Sequence, residues 1–364
     1  MRLEVGGVGG DMNDEEVAKR VGRYLETPGL VPKFPVVVEP NMINYFQDHR
    51  LATDARELVQ AIAFLQSYEV LLIDRYEEGP NVGVTIVLKE GEILVFDLFD
   101  YFPTKGEECL RNNEKCEYSH LPKGDLMRTD VAWPSMLPQK EQDLVRDAVQ
   151  KMLLFLGARD GVLFICAKVH NSSVQYAPVE RRGVGEDEDG AKNNLVDLVP
   201  KPIAPTEEPS VHILEVYPHP PLEYEYWASK IAYGIDYYAL YMLYALGEDE
   251  RFLANARPFS NLARVTSLCV VYMAITVQAW YQYSTTDLYS VLQQKRPDLA
   301  NHVYHHARFL DSSDGSLDRT VGMFIVTAGS RTRALEIAKE IRETLPVETT
   351  MYTPLPRFIT LETV

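Results

Sequence analysis

Positive charge is scarce in this chain: 36 Lys and Arg stand against 53 Asp and Glu, a formal net charge of −17 over 364 residues. So acidic a surface repels phosphate backbones and anionic headgroups, which argues against nucleic acid and membranes as general partners. Cysteine is scarce too, and none of Cys109, Cys116, Cys166 and Cys269 sits in a C-x-x-C pair. Cys109 and Cys116 share a segment with no second ligand pair beside them. That argues against zinc and for reduced thiols in a cytoplasmic protein. The first seven residues lack the apolar stretch of a secretory leader. The most apolar later run, 267–283, is interrupted by Gln278 and Gln282 and too short for a bilayer span, and it reads as a pair of core strands.

What is present is an ordinary globular balance, 46% hydrophobic and 24% charged. The length suffices for two or three sub-domains with cores of their own. Val17, Val21 and Tyr24 recur at helical spacing over 14–24. A strand at 36–39 precedes a helix that Thr53 or Asp54 would cap and that runs through Leu58, Ile62 and Leu65. Strands follow at 70–74, 82–88 and 92–98, the last two joined by a Lys-Glu-Gly-Glu hairpin turn. Prolines punctuate 109–138, a long amphipathic helix covers 140–156, and a strand at 161–169 is expected to form a hairpin with 174–176. The acidic, Pro- and Gly-rich segment 178–209 reads as a mobile surface insertion. A strand at 211–216 and a helix at 235–246 with an aromatic stripe come next. From about 261 onward, strands around a turn at 311–315 alternate with a helix at 330–345, as in a separate small α/β unit. His305 and His306 read as surface-loop residues and not as a ligand pair.

Four segments carry a resemblance. Phe34-Pro35-Val36-Val37-Val38-Glu39-Pro40, the run 71–94 (LLIDRYEEGPNVGVTIVLKEGEIL), the run 156–169 (LGARDGVLFICAKV) and the run 213–221 (ILEVYPHPP), followed by the helix 233–247, occur in this order. Together they resemble the ATP-grasp superfamily, and within it the carnosine-synthase-like amino-acid ligases, over roughly 14–260. The resemblance implies an α+β fold of two α+β subdomains with an appended C-terminal α/β unit. Residues 1–100 would form the small, lid-bearing subdomain, 101–260 the large one with its insertion at 178–209, and 261–364 the appended unit. It also implies an N-terminal α/β domain ahead of the helix at 14–24, for which this sequence has too few residues. The implied chemistry is ATP-dependent: a carboxylate is phosphorylated and an amine then attacks the acyl phosphate. That chemistry needs cations on the phosphates, magnesium held by carboxylates, and a glycine-rich flap.

Position by position, the resemblance meets substitutions. Its phosphate-binding lysine falls on Glu39. At roughly 4 Å and an effective dielectric near 20, two unit charges interact by about 4 kcal/mol, so exchanging attraction for repulsion disfavours ordinary ATP binding. The flap falls on 41–47, which contains no glycine. The ribose-binding glutamate falls on Asp74. The first metal glutamate falls on Cys166, a thiol that magnesium does not favour, with Lys168 two residues on. Glu215 remains as a metal carboxylate, while Tyr217 and His219 take the places of the asparagine and the basic residue.

Three readings stay open. The first is a degenerate ATP-grasp protein that binds a small metabolite, or partners a second copy or a full-length ligase, in a biosynthetic pathway. The second is an active carboxylate–amine ligase in which Glu215 holds magnesium, Asp74 the ribose, and His219 or Lys168 the acyl phosphate. The third is ATP-independent chemistry by a thiolate–imidazole pair of Cys166 and His219.

Overall fold

The computed structural model describes residues 2–4, 19, 33–40, 49–65, 70–104, 107, 110, 130–179, 195–221, 223–256, 268–278, 281–283, 287–308, 318–345 and 349–351. The flap segment 41–47, the turn 311–315 and, apart from Lys19, the helix expected at 14–24 lie outside them.

Alternation builds the small lobe. In β2 (Val36–Pro40), Val36, Val38 and Pro40 are buried, which sends Val37 and Glu39 to the opposite face. Strand β2 lies between β3 (Arg50–Ala52) and β4 (Val70–Arg75), and β1 (Arg2–Glu4) completes an antiparallel sheet in the order β1-β4-β2-β3. Helix α1 (Ala55–Phe64) closes the core with Leu58, Ala61 and Ile62. Asp54 is its N-cap, its carboxylate accepting the Glu57 amide at 2.8 Å, while Glu57 reaches back to the amide of Thr53.

The rest of the described strands follow in chain order. They are β5 (Asn81–Lys89), β6 (Glu92–Tyr101), β7 (Asp130–Trp133), β8 (Gly161–His170), β9 (Val174–Val179), β10 (Leu195–Pro200), β11 (Ser210–Tyr217), β12 (Cys269–Gln278), β13 (Tyr281–Tyr283), β14 (Val303–Arg308), β15 (Asp318–Ala328) and β16 (Thr349–Met351). Eight of them make one antiparallel sheet in the order β11-β8-β5-β6-β7-β12-β15-β14. Along β8, Leu163, Ile165, Ala167 and Val169 face one apolar layer, and Val162, Phe164 and Cys166 the other. The first layer holds α2 (Gln139–Leu156). The second holds α3 (Glu223–Tyr233), α4 (Tyr237–Ala245) and α5 (Asp249–Ala256). The short helices α6 (Leu288–Lys295) and α7 (Pro297–Ala300), with α8 (Arg331–Thr344), join the first layer. At the β5–β6 turn Glu90 and Gly91 both take positive φ, 53° and 86°, as a two-residue hairpin turn requires. Gly83 has a packing reason: a Cβ there would lie 2.2 Å from the Phe99 ring.

Several expectations need correcting. The partner of β9 is β10, not β8, so the acidic segment 178–209 contributes a paired strand at its C-terminal side; 180–194 lie outside the described residues. The reason is register: Leu198 and Tyr176 stand opposite each other and both join the core, burial that a solvated insertion would lack. His305 and His306 lie on β14 and not in a loop, because β14 pairs with β15 along the edge of the large sheet. The run 267–283 divides between two sheets, β12 in the large one and β13 in a two-stranded sheet with β16. The C-terminal unit is joined to the rest through strands: β12 pairs with β7, so β12, β15 and β14 prolong the large sheet.

Candidate functional site in the cleft between the lobes

The outward face of the small lobe meets the edge of the large sheet. Glu39 sits there because its neighbours Val38 and Pro40 are claimed by the lobe core. His49 immediately precedes β3, whose Arg50 pairs with Val38, and this antiparallel register carries the imidazole alongside Glu39. His49 Nε2 lies 3.5 Å from Glu39 Oε2. From the other lobe comes Glu215 of β11, set beside Cys166 at an irregularity in the β11–β8 register. The ligand atoms of Glu39, His49 and Glu215 all lie within 4.8 Å of one another, and each residue is half-buried. Tyr217 Oη donates to Glu215 Oε2 at 3.0 Å, and its ring packs against Phe164 and His219. His219 Nδ1 donates to the Pro220 carbonyl at 2.6 Å; a carbonyl only accepts, so the Nδ1 proton is fixed there.

A second polar cluster lies at the hinge, where 76–80 lead from β4 into β5. The backbone approaches closely here: Gly79 has φ +131°, and a Cβ would stand 2.0 Å from the Val169 carbonyl oxygen. Lys168 is buried, with Nζ 2.8 Å from Glu107 Oε1 and 4.1 Å from the centre of the Tyr76 ring. Glu107 also accepts from Asn81 Nδ2 at 3.1 Å and from the Thr104 amide at 3.0 Å. Beside this cluster opens a cavity of about 430 Å³ lined by Tyr76, Asn81, Tyr101, Glu107, His170 and Lys201, among others.

Of the residues singled out from sequence, the structure brings Glu39 and Glu215 together across the lobes. It places Lys168 on Glu107 at the hinge, His219 against Tyr217, and Asp74 near the end of β4 opposite Val37. Cys166 is 1% exposed, inside the apolar layer that includes Phe164 and Tyr226. His49 and Glu107 were not anticipated. His49 belongs to no motif, and only the pairing of β2 with β3 reveals it; Glu107 lies in a stretch whose local pattern is uninformative. No helix among the described residues is long and apolar enough to cross a membrane.

No family model matches the sequence. The ATP-grasp enzyme fsqD of Aspergillus fumigatus is 27% identical over 284 residues, covering 75% of this chain and 46% of that protein, so the chain spans about half the length of the curated relative it matches. Among solved structures, the chain is similar to an L-amino acid ligase from Bacillus licheniformis, with a TM-score of 0.54 and 12% identity over 91% of this chain and 69% of that one. It is also similar to a carboxyaminoimidazole ribonucleotide synthase from Aspergillus clavatus complexed with ATP, with a TM-score of 0.52 and 11% identity over 92% of this chain and 66% of that one. At such identities the likeness to solved structures is one of architecture.

Proposed function

On the premise that this chain has the ATP-grasp fold, we propose that its cleft does not run the standard ATP-dependent ligase reaction and serves instead to bind a small metabolite. The observation that carries this reading is the convergence of Glu39 and Glu215 within 4.8 Å, at the place where the resemblance calls for a phosphate-binding cation. A triphosphate there meets two carboxylates. The residues present do not fit magnesium-bound ATP in other ways either. Cys166, in place of a metal carboxylate, is a buried thiol, and magnesium favours hard oxygen donors. The ammonium of Lys168 already neutralises Glu107 in a buried pair. The hinge cavity, by contrast, mixes aromatic faces with a few convergent polar groups and has the size of a small-metabolite site. A role beside an active ligase would use the same cavity.

The test is thermal unfolding with and without millimolar Mg-ATP. A ligand at 100 times its dissociation constant stabilises by about 2.7 kcal/mol, which moves the midpoint visibly. The expected result is no shift for the native chain and a magnesium-dependent shift for Glu39→Lys. A magnesium-dependent shift of the native chain sinks the proposal and favours an active ligase built around Glu215.

A further inference from the structure

The same three side chains have a chemistry of their own. One imidazole nitrogen and two carboxylates, drawn from two lobes, converge within 4.8 Å. We propose that Glu39, His49 and Glu215 bind a single divalent transition-metal ion, which bridges the small lobe to the large sheet. This goes beyond the nucleotide question: the ion needs only these three groups, and its failure to bind would leave the Mg-ATP result untouched.

Donor type selects the ion. An imidazole together with carboxylates suits zinc, iron, cobalt or manganese, whereas magnesium and calcium take oxygen donors. Distances agree. Two donors at about 2.0 Å from a tetrahedral ion stand about 3.3 Å apart, and His49 Nε2 already lies 3.5 Å from Glu39 Oε2. The widest separation in the trio, at most 4.8 Å, closes by rotation of partly exposed carboxylate side chains. A supporting hydrogen bond is in place, since Tyr217 donates to Glu215 Oε2 and so restrains that carboxylate. Three protein ligands leave at least one coordination position for water or a bound metabolite, as in metal sites that act on substrates.

The experiment titrates the chelator-treated full chain with cobalt and zinc by calorimetry and visible absorption, with magnesium as comparison. One equivalent is expected to bind at micromolar concentration or tighter, with magnesium at least 100-fold weaker. His49→Ala, Glu39→Gln and Glu215→Gln should each weaken binding 10-fold or more, while His212→Ala, in the separate His170/His212/Glu77 cluster, should not. Circular dichroism checks folding. If His49→Ala unfolds, the two glutamine variants, one from each lobe, decide. X-ray absorption of the zinc-loaded native chain needs no variant: nitrogen and oxygen scatterers at about 2.0 Å are expected, and a sulfur shell near 2.3 Å overturns the assignment. Binding only in the millimolar range, or binding that survives His49→Ala and Glu215→Gln, overturns it too.

Discussion

Two charge clusters join distant parts of this chain, and they are built on opposite plans. At the first, Arg331 on α8 is nearly fully buried. Its Nη1 lies 2.9 Å from Asp100 Oδ2 and donates to the Pro134 carbonyl, and its Nη2 lies 2.8 Å from Asp197 Oδ1. Asp100 takes further bonds from Ser135 Oγ and the Met136 amide. Burial pulls the guanidinium towards its neutral form, and Asp100 and Asp197 more than reverse that, holding its pKa above the ordinary arginine value. At the second, Glu39 and Glu215 bring like charges together with one imidazole, and all three remain half-open to solvent. A cluster that serves only the fold supplies its own counter-charges and donors and excludes water. The second cluster draws its side chains from two lobes and stays open to solvent, where a ligand can reach it.

Breaking the first cluster should have the largest effect. Arg331→Met leaves Asp100 and Asp197 buried without their cation and should cost about 3–5 kcal/mol in urea unfolding; a loss under about 1 kcal/mol would show that the buried network does not hold the C-terminal strands in place. Next comes Asp97, wholly buried in the large-sheet core, where it accepts from Ser229 and Tyr237. Burial pushes its carboxyl up from 3.8 to about 7, against those hydrogen bonds. Below about pH 4 it is protonated in both states and costs nothing. Between there and pH 7 only the unfolded chain ionises, so stability falls as pH rises through that window and levels off above it. The full loss is on the order of 4 kcal/mol at 1.36 kcal/mol per unit. In Asp97→Asn this part of the pH dependence should vanish from unfolding curves recorded between pH 4 and 8; an unchanged slope would assign it to other groups. The smallest effect belongs to the cleft. Glu39→Gln should change metal-free stability by less than about 1 kcal/mol, and less still at high salt, because the pair is partly solvated. A loss of several kcal/mol would make Glu39 part of the scaffold and erase the contrast between the clusters.

Much of the scaffold was legible locally. The Asp54 cap, the Glu90-Gly91 turn and the alternation that exposes Glu39 all depend on residues a few positions apart. Errors arose where a strand had to choose a partner. Strand β9 could be placed from its own residues, but its pairing with β10 crosses the acidic stretch between them. The docking of β12 on β7 joins segments more than a hundred residues apart, and no pattern within either specifies it. The site divides in the same way. Glu39 and Glu215 stood out because flanking motifs gave them a register. His49 had no motif, and Lys168 looked free for chemistry until Glu107 was seen beside it.

By itself, then, the sequence determined the strands β2, β4, β5, β6, β8 and β11 and the helices α1, α2 and α8, since periodicity, caps and turns are local properties. Only the tertiary structure decided which acidic residues face each other and which are neutralised. A carboxylate next to an ammonium is part of the core, one that faces another carboxylate across two lobes is a candidate ligand, and the neighbour is chosen by strand pairing between segments far apart in the chain.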